Sequence, residues 1–354
     1  MFEGFANVWT PILPAREVRN APVAAKLAGE SLVLFRDAEG QIGALLDRCP
    51  HRGVALSLGE ISEGGHLQCP FHGWSFRADG ACAHIPFNPV GDEKLARYAA
   101  LAVPAREVGG LVWVFTGQDA AGTEPVLPSA LVDPRWGVTS YHEDWDTHWT
   151  RAMENMLDFP HVPFIHRRTI GRDMRRRLHS HAEMHIEIAP SDWGATFHGA
   201  VDGDPTGVSL MWRRPNGMEL HVKPTSMRVH IYCIPLSERC TRMLLLTART
   251  FLRWGPLATL LDYANRKILL EDRAVVESSQ PAEVPPAAEE LSVATDGPTL
   301  YFRRHYFREL RGSTSALVPV SRLRGAAVAL RREAGLTEGN CVGLAATPLG
   351  ARGG

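Results

Sequence analysis

A sequence of 354 residues, 45 % apolar and 22 % charged, has ordinary globular composition, which excludes a disordered, collagen-like or coiled-coil protein. Its 38 Lys and Arg against 39 Asp and Glu leave a formal net charge of −1, so no global field draws it to nucleic acid or to a membrane surface. At about 150 residues per domain the length predicts two domains, each able to bury its own core. The opening stretch carries Glu3 and Pro11 and lacks a basic segment followed by a long apolar run, so it does not read as a secretory signal. No segment reaches the ~18 consecutive apolar residues of a membrane span. The six cysteines (Cys49, Cys69, Cys82, Cys233, Cys240 and Cys341) are scattered, which points to metal chemistry in a reducing, cytoplasmic compartment and away from a disulfide scaffold.

In chain order, SLVLFRD-AEGQ-IGALLD reads as a β-hairpin, and WSFRADGACAHI repeats the pattern around Asp79-Gly80. GGLVWVFTG is a short buried strand. A Gly-, Ala- and Pro-rich stretch without periodicity then predicts a linker over residues 119–134, dividing the chain into domains 1–118 and 135–354. Residues 146–160 have a helical pattern, and alternating runs over 181–250 predict antiparallel strands. An amphipathic helix is expected from Leu257 to Ser279, then a Pro-, Ala- and Glu-rich surface connection over 281–298. The tail from Arg303 is basic, and its arginines (Arg303, Arg304, Arg308, Arg311, Arg322, Arg324, Arg331 and Arg332) read as mostly solubilising.

Two stretches carry ligand chemistry. The first is Cys49-x-His51, 17 intervening residues, then Cys69-x-x-His72. Two thiolates and two imidazoles can hold zinc tetrahedrally. They can also hold a [2Fe–2S] cluster in which histidines replace two cysteines on one iron. The arrangement favours the cluster, because each ligand pair supplies one Cys and one His from its own loop. Gly53 and Gly73 allow tight turns beside the metal. Neutral imidazoles raise such a centre to roughly −150 to +300 mV, against about −400 mV for all-Cys plant-type clusters. Trp74 is expected to pack over it.

The second stretch is RAMENMLDFPHVPFIHRRTIG, residues 151–171. Asn155, Asp158 and His161 are three apart and share a helix face, while His166 follows five residues after His161. Pro160 and Pro163 are expected to break the helix so that both imidazoles converge on one ion. A carboxylate from elsewhere would complete the facial triad of non-haem Fe(II). On the later helix an apolar stripe runs through Leu257, Leu260, Leu261, Ala264, Ile268, Val275 and Val276, and Asp272 falls inside it. A buried carboxylate there is costly unless it is paired or metal-bound. Its neighbour Glu271, four residues after Lys267, reads as a surface ion-pair partner.

The first stretch resembles the Rieske motif. The pattern Asn155-x-x-Asp158-x-x-His161-x4-His166, with Asp272 far downstream, resembles the catalytic domain of Rieske non-haem iron oxygenases, nearest in look to the group with O- and N-demethylases and natural-product hydroxylases. The resemblance spans nearly the whole chain. It implies an α+β fold: an N-terminal Rieske [2Fe–2S] β domain, then a helix-grip-like catalytic domain with a curved antiparallel sheet around a long helix. It implies a cluster held by Cys49, His51, Cys69 and His72 and a mononuclear Fe(II) held by His161, His166 and Asp272. Asn155 matches a position near the iron. It further implies a head-to-tail homotrimer, with Asp158 joining His161 to His72 of the next chain. Electrons would come from NAD(P)H through a separate ferredoxin or flavin reductase, since no nucleotide fingerprint or plant-type ferredoxin motif occurs here. O₂ would hydroxylate or demethylate a small organic substrate. Related chlorophyll-pathway oxygenases end in membrane segments, and the lack of one here disfavours a membrane pigment.

The competing reading is an electron-transfer or binding protein that kept the cluster and lost the iron, which would need neither His161, His166 nor Asp272. The basic run Arg172, Arg175, Arg176 and Arg177 reads as a solvated face. The other histidines, including His66, His84, His179, His181 and His185, read as surface or strand residues. Cys82, Cys233, Cys240 and Cys341 read as buried free thiols.

Overall fold

The computed structural model describes residues 1–87, 90–253 and 255–317. Ten short strands build three small antiparallel sheets at the N-terminal end. They are β1 (Trp9–Pro14), β2 (Val23–Leu27), β3 (Glu30–Arg36), β4 (Ile42–Leu46), β5 (Glu60–Ile61), β6 (Leu67–Gln68), β7 (Ser75–Phe76), β8 (Cys82–His84), β9 (Ala105–Val108) and β10 (Leu111–Phe115). The strand orders are β1-β10-β9, β2-β3-β4 and β5-β6-β7-β8. Both expected hairpins form. In the first, the Asp37 carboxylate accepts the backbone N–H groups of Glu39 and Gln41 at 3.1 and 2.7 Å and closes the turn between β3 and β4. In the second, Gly80 takes a φ of +81° between β7 and β8.

Seven longer strands make one antiparallel sheet in the order β11-β17-β16-β15-β14-β13-β12. They are β11 (Gly137–Trp145), β12 (Met184–Ser191), β13 (Gly194–Val201), β14 (Asp204–Arg213), β15 (Gly217–Lys223), β16 (Met227–Ser237) and β17 (Cys240–Arg249). Helices α1 (Asp92–Leu95), α2 (Trp149–Leu157), α3 (Val162–Ile165), α4 (Arg172–Arg176), α5 (Pro256–Glu277) and α6 (Gly297–His305) complete the chain, and α2 and α5 lie on the large sheet. Strand alternation sorts the sheet's two faces. Leu210, Leu220 and Val229 are cross-strand neighbours on the helix side. Glu219 and His230 pair on the other side, where Glu219, 1 % exposed, is held by Arg213 and His221 at 2.6 and 2.7 Å.

Two expectations need correction. The buried side of α5 carries Ala258, Leu269, Asp272 and Val276, while Leu257, Leu260 and Val275 are exposed. Two polar residues lie between Ala258 and Leu269 on this side because each has a partner: Asp262 receives Arg249 and Thr139, and Asn265 donates to Thr247. Asp272 is buried as expected, but the apolar stripe that located it is out of phase. Secondly, Arg303 is not a solubilising tail residue. It is 6 % exposed on α6, donates to Glu154 at 3.0 Å and to the Pro285 carbonyl at 3.1 Å, and joins a buried ion network with Glu290 and Arg151. Arg322, Arg324, Arg331, Arg332 and Cys341 lie outside the described residues.

The two halves also meet in a shared apolar cluster. One apolar cluster runs from Phe5, Ile12 and Trp113 through Trp149 and Met156 to Tyr232 and Leu245. Phe5 meets Trp149 edge-on at 5.3 Å, and Trp113 meets Tyr232 at 5.6 Å. A smaller cluster around Leu45, Leu56, Leu67 and Phe76 contains Cys49 and Cys69 and packs against the first metal site.

Candidate metal centres

The first site is built by two matching loops. Cys49 N–H donates to the Val54 carbonyl at 2.8 Å, and Gly53 N–H donates back to the Cys49 carbonyl at 2.8 Å. Cys69 and Gly73 repeat the arrangement with the Trp74 carbonyl at 2.8 Å and the Cys69 carbonyl at 3.0 Å. Gly53 and Gly73 take φ values of +73° and +70°, so both turns use a conformation that favours glycine. The loops bring the two thiols against each other and the two imidazoles against each other. Cys49 and Cys69 are each 2 % exposed and are free thiols. The His51 and His72 rings lie 4.6 Å apart, and His51 stacks on Trp74 at 4.5 Å with an interplanar angle of 2°.

These residues fit a metal cluster. His51 Nδ1 is buried without a partner. Burial, with the adjacent Cys69 thiol adding to it, pushes the Cys49 thiol up to about 11 against the lowering pull of the His51 backbone N–H. Left alone Cys49 would stay protonated, and a bound metal is what makes such a thiol into a thiolate. His72 is exposed, and so are Phe71 and Leu58 beside the loops.

The second site sits where α2 ends. The helix stops at Leu157, and Asp158 turns into an extended conformation with ψ 138°. The expected run of Asn155, Asp158 and His161 down one helix face therefore does not occur. Pro160 lies in the break, whereas Pro163 opens the one-turn helix α3, where a missing N–H costs nothing. His161 and His166 flank that turn as its caps, which is what makes them converge. Gly171 closes the segment, since a Cβ there would fall 2.1 Å from the Val162 carbonyl oxygen.

His161, His166 and Asp272 each offer a ligand atom, all within 4.8 Å of one another. Asp272 Oδ1 lies 3.2 Å from His166 Nε2 and 3.7 Å from His161 Nε2, and is buried with no hydrogen bond. Each imidazole is oriented from behind. His161 Nδ1 donates to Asp158 Oδ2 at 2.9 Å, which also accepts the His161 backbone N–H at 2.8 Å. His166 Nδ1 donates to Glu271 Oε2 at 2.8 Å, and Thr169 donates to the same oxygen at 2.7 Å. Carboxylates on both Nδ1 positions leave both Nε2 lone pairs for a metal. Burial lowers the His166 pKa, but Asp272 and then Glu271 outweigh it, and the net shift is upward. Two histidines and one carboxylate match the donor set of non-haem Fe(II).

Glu271 is the functional residue that sequence reading missed. It is not the surface partner of Lys267 but the acceptor for His166, with a side chain 22 % exposed. The trio opens into a cavity of about 300 Å³ between the sheet and α2, α4 and α5. Arg177 lines this cavity and pairs with Asp204 at 3.0 Å, while Arg172, Arg175 and Arg176 stay on the surface. Asp158 also borders a second, polar cavity of about 290 Å³ beside Arg151, Glu154 and Leu291. His230 is buried and His148 and His305 are half-buried, and loss of solvation pushes each down to a pKa of about 4.

Residues 8–99 match the family described as Rieske [2Fe-2S] domain, and residues 145–308 match the vanillate O-demethylase oxygenase C-terminal domain. Methylxanthine N1-demethylase NdmA of Pseudomonas putida is 30 % identical over 336 residues, covering 87 % of this chain and 90 % of that protein. This chain belongs to the Rieske non-haem iron oxygenases. The structure of the NdmA QL mutant from Pseudomonas putida CBB5 with caffeine superposes at a TM-score of 0.72, with 26 % identity over 85 % of this chain and 89 % of that one. Chloroplastic chlorophyllide a oxygenase of Chlamydomonas reinhardtii is 31 % identical over 263 residues, 71 % of this chain but only 39 % of its own length. Among the described residues no helix of this Rieske oxygenase is long and apolar enough to cross a membrane.

Proposed function

We propose that this chain is the oxygenase component of a system in which a separate ferredoxin or flavin reductase delivers electrons, originally from NAD(P)H, and a small organic substrate in the cavity is hydroxylated or oxidatively demethylated with O₂. Cys49, His51, Cys69 and His72 hold the [2Fe–2S] cluster, and His161, His166 and Asp272 hold a mononuclear iron. The observation that carries this reading is the three-donor set on the wall of an apolar cavity, with Asp272 Oδ1 buried and unbonded. A mononuclear iron there supplies redox chemistry with O₂ at coordination positions the three donors leave open. The chain's own groups do the rest. Asp158 and Glu271 fix both imidazoles, and Asn155 stands at the cavity wall beside Asp158. The aliphatic walls keep bulk water from the reacting centre.

The working assembly is a head-to-tail homotrimer in which Asp158 bridges its own His161 to His72 of the partner subunit. Supporting this, His72 is exposed beside the apolar Phe71, and Asp158 opens onto a second cavity behind the iron site. The division into a cluster domain 1–118, a linker 119–134 and a catalytic domain from 135 goes with this reading, as does a cytoplasmic location, where the free Cys49 and Cys69 stay reduced. Iron and acid-labile sulfide per chain test the reading together with reductase-driven O₂ uptake. An oxygenase holds one iron beyond the cluster pair. An electron carrier holds only the pair, and that count would overturn the proposal.

A further inference from the structure

We propose that the surface around the cavity mouth is a docking face for an anionic lipid bilayer. Arginines of residues 164–178 meet the headgroups, and apolar side chains of that segment and of α5 meet the acyl chains. The proposal rests on the surface alone and needs no reaction at the iron.

The cavity opens at the start of α4. Of its lining residues only Ile170 and Asp173 are exposed, while Met174 and Ile268 of the same wall are half-buried. The segment that frames this mouth carries six arginines (Arg167, Arg168, Arg172, Arg175, Arg176 and Arg177) against one acidic residue, Asp173. The net charge of −1 over the whole chain hides this local excess. Arg175 donates to the Pro163 carbonyl at 3.3 Å, Arg176 pairs with Asp173 at 3.4 Å, and Arg177 pairs with Asp204 at 3.0 Å. Arg167, Arg168 and Arg172 are exposed and have no hydrogen-bond or ion-pair partner among the described residues. Free cations therefore stand at the entrance of a cavity whose sheet wall is aliphatic.

Apolar side chains are interleaved with these charges. Phe164, Ile170 and Leu178 are 59, 51 and 40 % exposed. Helix α5 extends the patch. Glu271 accepts from His166 and Thr169, so the chain around Thr169 lies against the Glu271 flank of that helix. Steps of four and three residues back along the flank reach Lys267, Ala264, Leu260 and Leu257. All four are exposed, the two leucines by 62 and 59 %. An acidic protein surface would meet the arginines alone. A second copy of the chain, placed two-fold, would set the arginine run against itself. An anionic bilayer suits both features, with phosphates for the cations at headgroup level and acyl chains for the leucines and Ile170 just below. Helices that lie in a membrane interface combine basic and apolar side chains in this way.

The test is sedimentation of the holoenzyme with sucrose-loaded vesicles of phosphatidylcholine, alone or mixed three to one with phosphatidylglycerol, at low and high salt. The protein should bind the mixed vesicles at least about 10-fold more tightly than the neutral ones, and salt should weaken that binding. Arg168→Gln with Arg172→Gln should weaken it about 25-fold, roughly 5-fold per cation. Leu257→Ser with Leu260→Ser should weaken it at least about 10-fold. Cluster absorbance and elution volume check the fold and assembly of both variants. No binding to the mixed vesicles overturns the proposal. So does sensitivity to the arginines without sensitivity to the leucines, which marks a face for an acidic protein. A leucine variant that elutes as a smaller species also overturns it, since the stripe then joins copies of this chain. Turnover plays no part in this readout, so failure here leaves the oxygenase reading as it stands.

Discussion

Glu271 and His166 are 105 residues apart in sequence, and their Oε2 and Nδ1 atoms lie 2.8 Å apart beside the buried Asp272. Consecutive residues of α5 thus serve the site from two directions: Asp272 faces the metal position, and Glu271 holds the ring that faces it. Carboxylates that orient a metal-binding imidazole in this way change metal affinity by about 10- to 100-fold. Glu271→Ala should weaken mononuclear iron binding by that amount while the cluster absorbance stays intact. Glu271→Gln, which keeps an acceptor oxygen, should fall between. Iron titration of both variants checks this, and unchanged affinity in Glu271→Ala would remove the assigned role.

Asp272→Ala should abolish retention of the mononuclear iron, because two imidazoles alone remain within reach of the ion. The cluster irons should stay, since their loops belong to another part of the core. Metal analysis alongside the visible spectrum separates the two pools. Loss of both together would mean that the substitution unfolds the chain.

Asp158→Asn should keep both metals, because an amide oxygen can still accept from His161, yet lower turnover by about 10- to 100-fold. A sharper check on transfer between chains is co-assembly. Chains carrying Cys49→Ala have a usable iron, and chains carrying Asp272→Ala have a usable cluster. Mixed trimers of these two inactive proteins should recover activity, since some junctions pair an intact cluster with an intact iron. Electron transfer within one chain would leave the mixture as inactive as its parts.

Acid should destabilise the protein well above the range where carboxylates titrate. His148, His230 and His305 are held near a pKa of about 4 by burial, against 6.5 when free. Between those values the unfolded chain takes up protons that the folded chain refuses, so stability falls as pH drops from about 6.5 to 4. Each histidine adds about 1.4 kcal/mol per pH unit to the slope. Urea melts of chelator-treated protein at pH 7, 6 and 5 should show this, and His305→Gln should flatten the slope by about one proton.

Much of the site was legible because its chemistry is local in sequence. Cys49-x-His51 and Cys69-x-x-His72 each sit on one loop, and both loops close as their glycines suggest. The helix expected over 257–279 forms at Pro256–Glu277, and Asp272 is buried. The phase of that helix was not legible. Its buried face admits Asp262 and Asn265, whose partners Arg249 and Thr247 come from the sheet. A reading that counts only apolar residues assigns such positions to solvent. Glu271 failed for the same reason, since its partners His166 and Thr169 are more than 100 residues away. Arg303 looked like tail charge because Glu154 and Glu290 become its neighbours only when α6 folds back on α2.

The joint between the two halves bears on engineering. Besides the shared aromatic contacts, Ala28 and Gly29 donate backbone hydrogen bonds to Pro235 and Leu236 at 2.7 and 3.1 Å, and the buried Asn216 side chain reaches Thr10 at 3.0 Å. An N-terminal segment borrowed from a cousin would arrive with the wrong bumps for this seam, however good its own cluster loops. Chimeras that exchange electron-accepting modules should therefore be cut around the seam, transplanting the 48–87 lobe and leaving the host's residues 1–30 and 105–116 in place.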